Sequence, residues 1–127
     1  MKVAVSATSG SLEAQVDPRF GRCSYFVIVD TNTMNFESIQ NMAAGAMGGA
    51  GIQAAQLVLS KGVQAVITGN VGPNAYQVLR SAGIKIYAGA SGTIKEAVEN
   101  FKAGRLQEST GPTRGGFGMG RGRWGMF

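Results

Sequence analysis

Histidine is absent from this 127-residue chain, and cysteine occurs once, at position 23. The first absence excludes imidazole metal sites, Ser-His-Asp triads and histidine general bases. The second excludes an internal disulfide, and with it the four-thiolate ligation of an ordinary permanent iron–sulfur centre within one chain. A lone thiol, and an N-terminus that passes from Lys2 into a strand-like run without a signal peptide's apolar region, lead us to expect a reducing cytoplasm. Acids are scarce, at 7 Asp and Glu against 12 Lys and Arg. Two-metal nuclease chemistry needs carboxylates clustered on core strands, and the first strand-like run has none while Asp30 lies at a turn. No apolar run approaches the length of a membrane span.

What is abundant is glycine, at 20 residues more than twice the usual share of about 7%. One set punctuates residues 1–110, and another fills Gly111 to Gly125 beside Arg114, Arg121 and Arg123. Charge divides the same way: residues 1–110 hold nine Lys and Arg against seven acids, whereas the last stretch holds three arginines and no acid. The chain therefore reads as a domain over 1–108 followed by a Gly/Arg-rich flexible tail over 109–127, too poor in aliphatic residues to join a core. Its interleaved aromatics and arginines could stack on bases or dock on protein, but three arginines are few for phosphate neutralisation, so nucleic acid is not the expected partner.

Within the domain, the β-branched run 2–7 predicts a buried first strand, and the apolar run 25–30 a central second strand. Turn residues 30–33 lead to a returning strand over Met34–Met42, which completes a hairpin. The glycine loop 43–51 opens a helix running from Ile52 to Lys61-Gly62. Strand 63–68, a helix begun by Pro73, strand 84–88 and a helix with a Thr93/Glu96 capping box follow. The order is βββαβαβα: an α/β fold with a hairpin first and two crossover units after it, hence a mixed sheet whose helices cover both faces.

Ligands of open sheets sit at the carboxyl ends of parallel strands. That rim would gather 6–10, 41–51, 69–74 and 89–93, together with the loop Asp17-Pro18-Arg19-Phe20-Gly21-Arg22-Cys23 at the start of the antiparallel strand. Two arginines, several helix N-termini and a soft thiol would then converge on an anion, either phosphate or an anionic metal–sulfur cluster. Gly45 to Gly51 lacks the Lys-Ser/Thr ending of a P-loop, so no nucleotide fingerprint is present.

At Val16 to Phe26, at the glycine loop before Ile52, at Ile67-Thr68-Gly69-Asn70-Val71-Gly72-Pro73-Asn74 and at Gly83-Ile84, the sequence resembles the dinitrogenase iron–molybdenum cofactor biosynthesis family. The resemblance implies a three-layer, ribonuclease-H-like α/β/α fold with a five-stranded mixed sheet whose second strand is antiparallel. It also implies a non-catalytic protein that binds or carries iron–molybdenum cofactor or a precursor between donor and acceptor proteins. Several nitrogenase-associated members have His where this chain has Arg19. Combined with the rim above, it nominates Arg19, Phe20, Gly21, Arg22, Gly48, Gly49, Gly51, Asn70 and Asn74 as cofactor-binding residues and Cys23 as a metal ligand. The expected guest is an iron–sulfur or iron–molybdenum–sulfur cluster held transiently, and a homodimer could supply a second thiolate. Two other functions fit the same residues: a metal-free domain binding a small anion or nucleotide at this rim, and a module acting through its tail on nucleic acid or protein.

Overall fold

The structure is a computed structural model and describes residues 1–113. The elements are β1 (Lys2–Ala7), β2 (Tyr25–Asp30), β3 (Phe36–Gln40), α1 (Ala50–Leu59), β4 (Ala65–Ile67), α2 (Pro73–Ser81), β5 (Lys85–Tyr87) and α3 (Ile94–Lys102). They form one five-stranded sheet in the order β3-β2-β1-β4-β5. β2 is antiparallel to β1 and β3, while β4 is parallel to β1 and β5 to β4. This is the βββαβαβα order and the mixed sheet expected above.

The alternation of side chains along each strand sorts the core into two layers. Ala4, Phe26, Ile28, Val66 and Ile86 face α1 and α2, where Ala54, Ala55, Val58, Ala75 and Leu79 meet them. Val3, Val5, Val27, Val29 and Ile67 face α3, where Ile94, Ala97 and Val98 close the other side. Each fully buried Val, Ile, Leu or Phe contributes about 1.5–3 kcal/mol of transfer free energy, so both helical layers are held by packing.

The third strand is shorter than Met34–Met42, for local reasons at both ends. Met34 adopts a left-handed φ of 63°. There its N–H donates to Asp30 at 2.7 Å while Asn35 O accepts from Asp30 N at 2.9 Å, so the turn extends to residue 35. At the other end Asn41 leaves the ladder: its amide donates to Cys23 O at 2.9 Å and its oxygen accepts from Ala43 N at 3.1 Å.

The domain also runs past the boundary expected at 108. Ser109 N donates to Ile86 O at 2.7 Å, and Thr113 N donates to Val71 O at 2.7 Å. The chain after α3 is thus tied along the outer edge of β5 and back to the loop after β4. Residues 109–113 belong to the fold, and the rest of the expected flexible tail lies outside the described residues.

Candidate anion-binding hollow

The loop before β2 is shaped by hydrogen bonds at its base. Asp17 is buried, and its N–H donates to Ser6 O at 2.9 Å. Its carbonyl lies 2.7 Å from Ser6 Oγ, which is also 2.7 Å from Thr68 Oγ1. Pro18 O then accepts from Asn70 N at 2.7 Å, and Asn70 O accepts from Phe20 N at 3.2 Å, so the loop runs beside the segment after β4 as a short parallel bridge. That closeness requires Gly69, where an added Cβ would stand 2.6 Å from Pro18 Cα. Phe20 points down into the core onto Phe26, with ring centroids 5.1 Å apart.

Gly21 lies on the first turn of α1, where its Cβ would be 3.1 Å from the nitrogen of Gly51, and a Cβ on Gly51 would be 3.3 Å from that of Ala75. Small residues thereby bring the loop and the starts of α1 and α2 together around a hollow of about 360 Å³. Arg19, Phe20, Gly21, Gly49, Gly51, Asn70 and Asn74 all line it. These are seven of the nominated residues, contributed by three separate stretches of chain.

The electrostatics come chiefly from the helices. A helix leaves its first N–H groups without intrahelical partners and carries roughly half a positive charge at that end. α1 begins at Gly49 and α2 at Gly72, and neither has a side-chain cap nor an acid in its first turn. α3, which begins away from the hollow, has both: Thr93 accepts from Glu96 N, and the Glu96 carboxylate accepts from Thr93 N. The two helix starts that meet at the hollow are therefore the two left bare.

The arginines are placed differently from expectation. Arg19 forms a two-pronged pair with buried Asp17, at 3.2 Å from Nε to Oδ1 and 3.2 Å from Nη2 to Oδ2, and Asp17 Oδ1 also accepts the Arg19 N–H. This hydrogen bonding and charge hold the guanidinium above its ordinary pKa. Its side chain is still 64% exposed, so it faces the hollow as an oriented but already paired cation. Arg22 does not line the hollow. Its Nη1 donates to Ala44 O at 2.9 Å and Ala46 O at 2.7 Å, pinning the glycine loop before α1. Gly48 is exposed on that same loop and also lies outside the lining.

Cys23 departs furthest from its expected place. Rather than standing at the rim, its side chain is buried in the core layer beneath the loop. Its thiol donates to Phe20 O at 3.3 Å, with Asn41 Nδ2 at 3.7 Å from the sulfur. Desolvation pushes the thiol up to about 12, so at neutral pH it is protonated, inaccessible and unsuited to ligate a guest. Six lining residues were not nominated: Ala50, Ile52, Gly72, Pro73, Ala75 and Thr113. Gly72 and Pro73 carried a visible signal as a helix start, whereas Thr113 carried none, because its place depends on the long return of the chain.

Among the described residues, no three His, Cys, Asp or Glu side chains gather as a metal site, and no helix is long and apolar enough to cross a membrane. The fold and the hollow define a class: a small open-sheet α/β protein with a hollow lined by two helix starts at the carboxyl edge of its strands. Within that class the chain belongs to the dinitrogenase iron–molybdenum cofactor family, whose model matches residues 1–104. The apo form of the orange protein from Desulfovibrio gigas superposes with a TM-score of 0.87 at 40% identity, over 89% of this chain and 96% of that one. A NifB-like Thermotoga protein, TM1290, gives a TM-score of 0.78 at 42% identity over 91% and 98%. The uncharacterized Methanocaldococcus jannaschii protein MJ0580 is 36% identical over 111 residues, 85% of this chain and 91% of the relative.

Proposed function

We propose that this protein is a non-catalytic carrier that holds an anionic metal–sulfur cofactor, iron–molybdenum cofactor or a precursor of it, in the hollow between the starts of α1 and α2. The observation that carries this reading is the pairing of two bare helix starts with Arg19 around one cavity, where the helix away from the cavity is fully capped. The family's link to iron–molybdenum cofactor and the similarity to a protein solved in an apo form support the nature of the guest.

The chain's own chemistry favours a light grip. The Gly51 and Asn74 backbone and the Asn70 and Asn74 side chains offer donors without a thiolate, and the Arg19 guanidinium retains N–H groups beyond those spent on Asp17. A guest held by charge and hydrogen bonds keeps its metal positions free for a donor or acceptor protein to ligate. Cys23, protonated beneath the floor, takes no part in this.

The test is anaerobic incubation of the full chain with extracted iron–molybdenum cofactor, followed by gel filtration. Co-elution of visible absorption with stoichiometric iron and molybdenum is the expected result. Elution of the protein without metal would refute the carrier function. If free nucleotide or phosphate protected the fold under the same conditions, the metal-free anion-binding alternative would take its place.

A further inference from the structure

We propose that Arg22 is a positioning residue for the hollow: without touching the guest, it holds the glycine loop and so keeps the start of α1 in its binding arrangement. This role rests on the carrier function proposed above. Arg22 is exposed, yet its guanidinium is spent on its own chain, with Nη1 donating to Ala44 O at 2.9 Å and Ala46 O at 2.7 Å. The preceding residue, Gly21, lies so close to α1 that an added Cβ would stand 3.1 Å from Gly51 N. One short stretch, Gly21-Arg22, thus meets the first turn of α1 through its backbone and the loop feeding that turn through its side chain.

The loop has little else to hold it. Between buried Ala43 and buried Ala50 every residue is partly or fully exposed, and residues 41–60 contain no charged side chain. Among the described residues, the other hydrogen bonds of 44–48 are local turns, from Ala44 N to Asn41 O at 3.2 Å and from Ala46 N to Ala43 O at 3.0 Å. Gly49 then enters α1 with a left-handed φ of 72° and no side-chain cap, where an extended residue with a capping side chain is usual. The placing of Gly49 and Gly51 at the cavity wall is therefore set from outside the helix, and Gly21 and Arg22 supply the contacts that set it. A protein whose binding-competent form is only part of its population binds more weakly by that fraction.

The experiment measures anaerobic binding of extracted iron–molybdenum cofactor, together with amide exchange in the free protein at Gln53, whose N–H donates to Gly49 O at 2.9 Å. It compares the native chain, Arg22→Gln, and Arg22→Gln combined with Gly45→Ala and Gly48→Ala. Losing an exposed charged donor that serves two carbonyls should weaken binding and speed exchange by roughly tenfold. Gly45 and Gly48 have no left-handed φ and open space where a Cβ would stand, so alanine stiffens the loop there, by a factor of about two to five each. The triple variant should recover most of the affinity and the slow exchange, with the salt dependence of binding equal in all three proteins. An arginine that contacted the guest could not be replaced by stiffening the loop. Unchanged affinity or unchanged Gln53 exchange in Arg22→Gln overturns the proposal. So does a loss of affinity that the alanines fail to restore; with a flatter salt dependence it would make Arg22 a direct contact of the guest. Those outcomes leave the carrier function standing, whereas no uptake by the native protein removes both.

Discussion

Gly72→Asp separates the function of the hollow from the stability of the fold. Gly72 is the N-cap of α2 with φ −78° and ψ 171°, the extended conformation that a capping side chain prefers. An added Cβ there meets nothing within 4 Å. Aspartate should therefore fit without strain, accept a free N–H of the first turn and complement the helix dipole. Replacing glycine at a cap gains a few tenths of a kcal/mol, and an acid at a helix start about 0.3–1 kcal/mol. The sum is a protein more stable by roughly 0.5–1 kcal/mol, and its Tm should rise by a few degrees. On the carrier reading, the same carboxylate occupies donors the guest would use, and it places a negative charge at the cavity wall. At 4 Å, two unit charges repel by about 1 kcal/mol in water and more at a partly shielded site, so cofactor affinity should fall by roughly 5- to 30-fold. Gly72→Asn, which caps without charge, should weaken binding less. Thermal melts and anaerobic titration of the three proteins check this. A Gly72→Asp protein that is as stable as wild type or more so, and that binds cofactor equally well, would refute the assignment of the hollow.

Further outcomes follow from the loop and the core. Cys23→Ala should leave cofactor affinity within about twofold while lowering stability by about 1–2 kcal/mol through the cavity it creates, as titration and urea unfolding would show; a large loss of affinity would restore the thiol as a ligand. Burial pushes the folded thiol up to about 12, well above the ordinary thiol value of about 8.5. Between those values the unfolded chain has lost a proton that the native one keeps, so stability is intact below about pH 8.5 and falls as pH rises, by up to roughly 1.4 kcal/mol per unit. That slope should vanish in Cys23→Ala. Gly69→Ala forces a Cβ to 2.6 Å from Pro18 Cα, and backbone on both sides leaves little to give; we expect a loss of about 1–3 kcal/mol and faster amide exchange at Asn70. Thr93→Ala removes the capping box of α3 and should cost about 0.5–2 kcal/mol without touching cofactor binding.

The strand and helix pattern and the capping box at Thr93 were written locally, in β-branched runs, glycine stops and an S/T-x-x-E spacing, each of which acts through near neighbours in the chain. The gathering of Arg19, Gly21, Gly51, Asn70 and Asn74 was legible because the carboxyl-edge rule converts strand order into proximity. What local pattern could not supply was the state of each side chain once there. Arg19 and Arg22 look alike in sequence, yet Asp17 claims one and the carbonyls of Ala44 and Ala46 claim the other. Cys23 looks like a rim ligand until β2, α1 and Asn41 close over it. Thr113 reaches the hollow only because the chain after α3 doubles back along β5. The sequence by itself determined the elements, their order and the rim they share, because these follow from periodicity and turn chemistry within short windows. Only the tertiary structure decided which charges are already paired, which thiol is desolvated and where the chain re-emerges, because each depends on groups tens of residues apart meeting in space.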